Sequence, residues 1–257
     1  MDTKANERFD VSAATELSSP HSVKDKVIVV TGAVGNLGLT TARALQSSGA
    51  RTVLVDRSRD RLSEAYPELA NSPRHAFAGG VDLADSASLS TMMESVVNRF
   101  GRIDGLVNTV GGYRGGKPVH ETELADWDFL FGVNLRTTLL CSRAVIPQMI
   151  RQSSGRIVNV GSRDALQGSS GYAAYSASKS AVLRLTESMA AELKAFNINV
   201  NCILPGTIDT PQNRKAIPDA DYSKWVDPRA LSDVVLFLLS DASRAIHGAA
   251  LPVFGEA

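Results

Sequence analysis

Short runs of branched apolar residues alternate along this chain with longer amphipathic stretches. Seven runs have the length and composition of buried strands: Val27–Thr31, Thr52–Asp56, His75–Val81, Ile103–Asn108, Arg156–Val160, Ile198–Ile203 and Ala250–Phe254. Most of these runs are continuously apolar instead of alternating with polar residues. This pattern is typical of a parallel sheet that is covered on both faces.

Between these runs, apolar residues recur at helical spacing. The spacing predicts helices over Thr40–Gln46, Leu89–Phe100, Leu124–Ile150, Ala177–Phe196 and Pro228–Leu239. Strands that alternate with helices indicate repeated βαβ units. We therefore predict an α/β fold, in which residues 23–257 form a single doubly wound domain with a seven-stranded parallel sheet and helices on both faces.

Two segments do not follow this alternation. Residues 1–22 are polar, with acidic residues near the start and no apolar core, so they do not resemble a signal peptide. We expect a disordered polar arm there and a cytoplasmic protein. Pro205–Trp225 is irregular and too long for a plain connection. It follows a strand, where open α/β sheets bind ligands, so we predict a short substrate lid near residues 206–226.

Composition and charge narrow the classes of function. The 257 residues include 27 Lys plus Arg and 27 Asp plus Glu, and the pI is about 6.9. A neutral chain lacks the long-range field that attracts nucleic acid or an anionic membrane. No continuous apolar run reaches the roughly 18 residues of a membrane span. Cys141 and Cys202 are too few for a disulfide framework, so we expect reduced core thiols, and we predict no metal site.

A glycine-rich turn follows the first predicted strand. It reads Thr31-Gly32-Ala33-Val34-Gly35-Asn36-Leu37-Gly38 and leads into a predicted helix. This order brings backbone N–H groups and a helix N-terminus to one point, which forms a site for a pyrophosphate. No Lys follows the last glycine, so the turn is not a P-loop. We therefore predict a Rossmann-type dinucleotide site.

The second predicted strand ends at Asp56, 24 residues after Gly32. A carboxylate at this place accepts hydrogen bonds from the adenosine ribose hydroxyls and repels a 2′-phosphate. Asp56 therefore favours NAD over NADP. Arg57 follows at once and offers a cation to a 2′-phosphate, so NADP remains the alternative.

Tyr175 and Lys179 are four residues apart in a predicted helical region. On a helix, the two side chains share a face and lie about 5–6 Å apart at Cβ. A nearby ammonium lowers the pKa of a phenol, which is about 10 when free. A phenol of lowered pKa suits acid–base chemistry near neutral pH. Ser176 and Lys179 also mimic a serine acylase motif, but its companion motifs are missing.

These residues, in this order, resemble those of the short-chain dehydrogenase/reductase family. The resemblance covers about residues 24 to 255. It rests on Thr31-Gly32-x-x-x-Asn36-x-Gly38, Asp56, Asp82-Leu83, Asn108-Thr109-Val110-Gly111, Asn134, Ser162, Tyr175 with Lys179, and Pro205-Gly206-Thr207-Ile208-Asp209-Thr210.

The resemblance implies four catalytic residues. Tyr175 exchanges a proton with the substrate oxygen, and Ser162 hydrogen-bonds the same oxygen. Lys179 lowers the pKa of Tyr175 and holds the nicotinamide ribose. Asn134 holds a water that links Lys179 to solvent.

The resemblance also implies a coenzyme site. Asp82 and Leu83 contact adenine, Ile208 and Thr210 fix the carboxamide, and Asn108 and Gly111 border the coenzyme. The full set of implied coenzyme-binding residues is Gly32, Gly35, Asn36, Leu37, Gly38, Asp56, Arg57, Asp82, Leu83, Asn108, Gly111, Tyr175, Lys179, Pro205, Gly206, Ile208 and Thr210.

The sequence departs from the family pattern at a few positions, none of which removes a reacting group. Asn36 replaces the middle glycine of the turn, and we expect Asn to tolerate a left-handed backbone there. Thr109 and Val110 replace the usual Asn and Ala. Gly161 replaces the Ser before Ser162.

The substrate is less well defined by the sequence. Tyr113 and Arg114 lie in a glycine-rich loop after the fourth strand, and Trp225 lies in the lid; we predict that these residues and Ser162 and Tyr175 contact the substrate. The two segments are similar to those of dihydropteridine reductases, an NADH-using branch of the family. That branch lacks the catalytic Ser. Ser162 therefore favours a small-molecule alcohol or carbonyl substrate, with quinonoid dihydropterin reduction as the alternative.

Two other classes compete with this interpretation. An NAD-sensing regulator without turnover usually loses the Tyr or the Lys, and both are present here. A sugar-nucleotide epimerase of the extended branch needs a substrate domain, and only about fifty residues follow Pro205. The family resemblance also implies a homo-oligomer, a tetramer or a dimer, formed through the two long helices.

Overall fold

The computed structural model describes residues 19–256, and its centre is one parallel sheet of seven strands. The strands are β1 (Val27–Thr31), β2 (Arg51–Asp56), β3 (His75–Gly79), β4 (Gly105–Asn108), β5 (Gly155–Val160), β6 (Ile198–Pro205) and β7 (Ala250–Val253). They are arranged in the order β3-β2-β1-β4-β5-β6-β7. The predicted seven-stranded doubly wound sheet is confirmed.

The described part of the chain contains eight α-helices. They are α1 (Asn36–Ser47), α2 (Arg59–Ala65), α3 (Ser86–Phe100), α4 (Leu124–Leu130), α5 (Thr137–Arg151), α6 (Ala173–Leu193), α7 (Pro211–Ala216) and α8 (Pro228–Leu239). Helices α3, α5 and α6 contribute to one hydrophobic core, and α1, α2 and α8 to the other.

Strand β1 shows why its residues form a central strand. Successive side chains of a strand point to opposite faces of the sheet. Val27 and Val29 belong to one core, and Ile28 and Val30 belong to the other. All four are fully buried, and burial of each such side chain contributes about 1.5–3 kcal/mol. A run that is apolar at every position therefore gives a strand that is covered on both faces.

The chain reverses its direction of winding between β1 and β4. Strands β2 and β3 lie on one side of β1, and β4 to β7 continue on the other side. In parallel sheets of this kind, the crevice at the carboxyl ends of the two central strands is where ligands bind. The glycine turn follows β1, and the predicted Tyr113 loop follows β4. Both segments therefore emerge at this crevice.

Several helices differ from the predicted ones. The long helix predicted over Leu124–Ile150 is interrupted, because Phe131–Arg136 adopts a π-helical conformation between α4 and α5. Helix α2 was not predicted, since Leu62 is its one buried residue and the apolar signal is weak. The predicted irregular lid contains α7 and a 3-10 turn over Tyr222–Lys224.

The predicted polar arm over residues 1–22 lies almost entirely outside the described residues. Its last part packs on the domain, because the carbonyl oxygen of Pro20 accepts a hydrogen bond from the N–H of Ala242 at 2.8 Å. Within the described chain, Leu124–Arg151 is the one helical stretch long and apolar enough to cross a membrane. It packs against β4, β5, α3 and α6, as a core helix of the domain does.

Candidate active site

The glycine turn after β1 is built from backbone that side chains would block. Gly32 has a φ of +64°, in the left-handed region that favours glycine. A Cβ at Gly38 would lie 2.1 Å from the carbonyl oxygen of Gly32. Gly35 precedes α1 and supplies no side-chain cap. The first N–H groups of α1 therefore remain directed at the turn, as a pyrophosphate site requires.

Asn36 and Leu37 lie in the first turn of α1. Asn36 is the first residue of α1 and its φ is not positive, so the turn does not use the tolerance of Asn for a left-handed backbone. Its Nδ2 atom donates a hydrogen bond to Oε1 of Gln212 on α7 at 2.7 Å. The side chain that replaces the family's glycine therefore links the turn to the lid. Leu37 is buried in the core beside α1.

Asp56 ends β2 with its side chain only 10% exposed. Its Oδ1 atom accepts a hydrogen bond from the N–H of Ser58 at 3.1 Å, and Nη1 of Arg61 lies 3.8 Å from the same oxygen. The carboxylate is therefore oriented at the carboxyl edge of the sheet, where the sequence places the ribose. Arg57 is exposed beside it.

Asp82 and Leu83 follow β3 and have different environments. Asp82 is exposed, and its Oδ1 atom accepts a hydrogen bond from the N–H of Ala84 at 2.9 Å. Leu83 is buried in the core that contains α3. The side chain of Leu83 therefore serves packing.

The features of the turn and of Asp56 fit a dinucleotide. The absence of a Cβ at Gly38 leaves space beside the Gly32 carbonyl. The N-terminus of α1 has backbone N–H groups without a side-chain cap, and the carboxylate of Asp56 ends β2. Gly32 to Gly38 would hold the pyrophosphate, and Asp56 would hold the adenosine ribose.

Ser162, Tyr175 and Lys179 come together at the carboxyl end of β5. Tyr175 and Lys179 lie in the first two turns of α6, and Ser162 follows β5. The Ser162 hydroxyl acts on the phenol of Tyr175 and lowers its pKa. The ammonium of Lys179 lies 3.2 Å from the position that a Cβ of Gly111 would occupy. The predicted catalytic residues are therefore neighbours at the switch point of the sheet.

Asn134 is placed by the π-helical turn that was not predicted. This turn adds a residue to the helical ladder, a feature that is frequent at functional sites. The Oδ1 atom of Asn134 accepts from the N–H of Gly112 at 2.8 Å, and its Nδ2 atom donates to the carbonyl of Gly112 and to Oγ of Ser178. A Cβ at Gly111 would lie 3.1 Å from Oδ1 of Asn134. Asn134 thus joins the β4 loop to α6 beside Lys179.

Burial is the main influence on the pKa values of Tyr175 and Lys179. Burial raises the pKa of Tyr175, the nearby Asp164 raises it further, and the hydrogen bond with Ser162 lowers it. Burial lowers the pKa of Lys179 to about 8. The lowered phenol pKa that the spacing predicts is therefore not found in the protein alone, because burial disfavours the phenolate as well as the ammonium.

The predicted substrate residues lie in different surroundings. The ring of Tyr113 meets that of Tyr175 edge to face, with centroids 4.9 Å apart. Arg114 points toward α4, where Nη1 lies 2.7 Å from Oδ1 of Asp126. The ring contact found for Trp225 among the described residues is with Tyr222 of the lid, at 4.8 Å.

The remaining predicted coenzyme residues take part in hydrogen bonds and backbone pairing within the domain. Asn108 points into the core, where Nδ2 donates to Oδ1 of Asn159 at 2.9 Å; its side chain therefore does not border the coenzyme crevice. Thr210 caps α7 by accepting from the N–H of Asn213. Pro205, Gly206 and Ile208 form the backbone that leaves β6 and enters the lid.

Three contacts at the site did not emerge from the sequence reasoning. The ring of Tyr172 stacks on Tyr113, with centroids 5.6 Å apart. Oδ2 of Asp164 accepts a hydrogen bond from the Ser162 hydroxyl at 3.0 Å. The Thr109 hydroxyl donates to the carbonyl of Thr31 and so joins β4 to the glycine turn. Tyr172 precedes the first residue of α6, and its separation of three residues from Tyr175 is a signal that could have identified it.

Known proteins resemble this chain over most of its length. The short chain dehydrogenase family profile matches residues 26–221. The chain is 35% identical over 244 residues to a cyclopentanol dehydrogenase of Comamonas testosteroni, which covers 91% of this chain and 97% of that protein. It is 32% identical over 241 residues to a 3-oxoacyl-(acyl-carrier-protein) reductase of Thermotoga maritima, which covers 91% and 98%.

Solved structures show the same architecture. The structure of an NAD⁺-bound xylitol dehydrogenase superposes with a TM-score of 0.81 at 32% identity and covers 91% of this chain and 99% of that chain. A levodione reductase superposes with a TM-score of 0.82 at 29% identity, covering 90% and 97%. The profile match, these relatives and the shared fold lead to one conclusion: the chain belongs to the short-chain dehydrogenase/reductase family of oxidoreductases, which act on alcohol and carbonyl groups.

Proposed function

We propose that the protein interconverts an alcohol and a carbonyl compound with NAD as its coenzyme and Tyr175 as the acid–base group. The observation that carries this proposal is the meeting of three groups at one crevice. The Ser162 hydroxyl lowers the pKa of Tyr175, and the Lys179 ammonium lies one helical turn further along α6, beside Gly111. The open N-terminus of α1 lies at the same edge of the sheet.

Each residue has a part in moving one proton. Bound NAD supplies the hydride acceptor, and its reduced form supplies the hydride. The hydroxyl of Tyr175 gives a proton to a carbonyl oxygen in reduction and takes it back in oxidation. Ser162 orients that oxygen by a hydrogen bond. Lys179 supplies positive charge near the phenol, and Asn134 holds the loop and the helix that frame it.

The coenzyme preference rests on Asp56. Its largely buried carboxylate is fixed by the N–H of Ser58 at the carboxyl end of β2, and we propose that it accepts hydrogen bonds from the ribose hydroxyls. A 2′-phosphate there would meet a like charge. Arg57 is exposed, and its cation would attract the 2′-phosphate of NADP. We propose NAD as the preferred coenzyme.

The alternatives have weaker support. Reduction of quinonoid dihydropterin draws on the similarity of the Tyr113 loop and the lid to a branch without the catalytic Ser. Ser162 is present here, and its hydroxyl lowers the pKa of Tyr175. An NAD sensor without turnover would not need the assembled set of Ser162, Tyr175, Lys179 and Asn134. The relatives named above are themselves enzymes of alcohol or oxo compounds.

We also propose a homo-oligomer, a tetramer or a dimer. The proposal rests on the family resemblance, and it agrees with exposed apolar side chains such as Leu139 on α5, which is 41% exposed. Light scattering of the purified protein tests it. A monomeric mass at micromolar concentration would contradict it.

A coenzyme assay over a carbonyl and alcohol panel tests the activity. NADH and NADPH absorbance is followed with cyclic ketones, linear ketones, secondary alcohols and quinonoid dihydropterin. We expect turnover of a ketone with NADH, and a preference for NADH that falls about tenfold or more in Asp56→Ala because the like charge is removed. Lys24→Gln, at the amino edge of the sheet, is the matched control. Oxidation of NADH by the pterin alone would favour the alternative.

A further inference from the structure

A partly open pocket has the ring of Tyr172 in its wall. It is a cavity of about 230 Å³, lined among others by Arg114, Lys117, Asp126, Leu130 and Tyr172. Pockets for whole drug-sized ligands measure about 300–1,000 Å³. This volume therefore suits one substituent of a substrate, not a second complete ligand.

Three elements fix the walls of this cavity. The N–H of Gly116 donates to the carbonyl of Gly171 at 2.8 Å, which attaches the Tyr113 loop to the segment before α6. Gly115 packs so closely on the ring of Tyr172 that a Cβ would lie 2.1 Å from it. The ion pair of Arg114 with Asp126 attaches the same loop to α4. The cavity is thus built by the fold and not by one mobile side chain.

The charges at the cavity favour an anion. Arg114 and Lys117 are cationic and Asp126 is anionic, so the lining carries an excess of one positive charge. The Lys117 side chain has no hydrogen bond or ion pair within residues 19–256. The guanidinium of Arg114 lies 3.8 Å from the ring centroid of Phe129, so it is fixed in orientation. Its Nε and Nη2 atoms donate no hydrogen bond to any described residue.

The first turn of α6 adds to this charge. Ala173 and Ala174 line the cavity, and no described side chain caps the helix, which has 21 residues. The N–H groups at such a helix start carry partial positive charge. This contribution supports the two cations and does not replace them.

The cavity is connected to the reacting centre by aromatic rings. Tyr172 forms part of the cavity wall, its ring stacks on Tyr113, and Tyr113 in turn contacts Tyr175. A substrate whose carbonyl lies at Tyr175 would extend along these rings before it reaches Arg114 and Lys117. The rings favour an apolar or flat body between the two ends.

We propose that this cavity binds the oxyanion substituent, such as a carboxylate, of a carbonyl substrate whose apolar body lies along Tyr113 and Tyr172. The proposal rests on the proposed function and narrows its substrate class. Lys117 and Arg114 are then specificity-determining residues, and they do not take part in proton transfer.

Matched substrates test this subsite. The probes are 4-acetylbenzoate and 4-oxocyclohexanecarboxylate, each compared with its uncharged methyl ester, in the NADH assay. We expect kcat/KM for the acid to exceed that for the ester by about fivefold or more at low salt, and the ratio to fall toward one in about 0.5 M NaCl, where surface charges are screened.

Two variants test whether the preference for the acid over its ester depends on the cavity. Lys117→Gln should lower the acid-to-ester ratio by about fivefold, and Lys24→Gln should leave it unchanged. The Lys117 side chain makes no hydrogen bond or ion pair in the described chain, and its carbonyl, which accepts from Thr122, is kept in the variant, so this change should not disturb folding. Equal kcat/KM values for acid and ester in the unaltered protein, or an unchanged ratio in Lys117→Gln, would overturn the proposal.

A binding titration separates this inference from the proposed function. The same acids and esters are titrated into the protein with NADH present, and the dissociation constants are compared in the unaltered protein and in Lys117→Gln. If no ketone is reduced, the proposed function fails, whereas tighter binding of the acids that depends on Lys117 still supports the subsite. If ketones are reduced and the acids show no preference in either readout, the subsite alone is wrong.

Discussion

The Nζ atom of Lys179 donates a hydrogen bond to the carbonyl oxygen of Val160, 3.0 Å away. Lys179 is 5% exposed, and Val160 is the last residue of β5. The bond therefore ties the catalytic helix α6 to the carboxyl end of a central strand. It holds a cation in a buried place, where burial lowers its pKa to about 8.

This buried cation should lower the stability of the protein. The unfolded lysine titrates near 10.4, so below pH 8 the folded state holds the ammonium at the cost of its hydration. We expect Lys179→Met to lose turnover and to gain about 1–2 kcal/mol in the free energy of unfolding at pH 7.

The pH dependence of this gain follows from the direction of the pKa shift. Between pH 8 and about 10.5 the unfolded chain binds more protons than the folded one, so the stability of the unaltered protein rises with pH. The advantage of Lys179→Met should therefore disappear by about pH 10.5. Urea unfolding at pH 7 and pH 10.5 measures the difference in unfolding free energy between Lys179→Met and the unaltered protein. The same difference at both pH values would contradict this account.

Asp164 should control the pH profile of alcohol oxidation. Its carboxylate raises the pKa of Tyr175, and oxidation needs Tyr175 as the phenolate. Removing the charge in Asp164→Asn should lower that pKa and move the rising limb of kcat/KM toward lower pH by about half a unit.

The Asp164→Asn change keeps an oxygen that accepts the Ser162 hydroxyl, so Ser162 should stay in place. Asp128→Asn, on the exposed face of α4, is the matched control. If the rising limb of the kcat/KM profile of Asp164→Asn moves to higher pH or stays in place, Asp164 does not raise the pKa of the Tyr175 phenol.

Gly38→Ala should damage both the fold and the coenzyme site. The new Cβ would lie 2.1 Å from the Gly32 carbonyl oxygen, a backbone atom that cannot swing aside. We expect a loss of about 1–3 kcal/mol in unfolding free energy and NADH binding weakened by about tenfold.

Gly168→Ala is the control for this change, because a Cβ at Gly168 would have no neighbour within 4 Å. Its unfolding free energy should change by less than about 0.5 kcal/mol. Thermal unfolding and NADH fluorescence titration give the two readouts. If Gly38→Ala binds NADH as the unaltered protein does, the turn does not have the proposed role.

The sequence predicted those parts of the fold that strong periodicity marks. Runs such as Val27–Thr31 are apolar at all but the last position and became central strands. Helix α2 was missed because only Leu62 of its seven residues is buried. The π-helical turn over Phe131–Arg136 was missed because residue spacing does not distinguish one extra residue in a long amphipathic helix.

Residue spacing along the chain predicted only part of the candidate site. Tyr175 and Lys179 on one helix face were predicted from their separation, and the structure places them so. The contact of Tyr113 with Tyr175 depends on a glycine-rich loop whose path is set by Gly116 and Gly171, far apart in sequence. The upward pKa shift of Tyr175 depends on burial, which i,i+4 spacing does not report.

The most direct test of the acid–base role is Tyr175→Phe, which removes one hydroxyl and keeps the ring against Tyr113. With the best ketone of the panel, we expect kcat to fall by about 10²- to 10⁴-fold while the dissociation constant for NADH stays within about twofold, since the ring and Lys179 remain. Turnover close to that of the unaltered protein, with NADH binding intact, would contradict the assignment of Tyr175 as the proton donor.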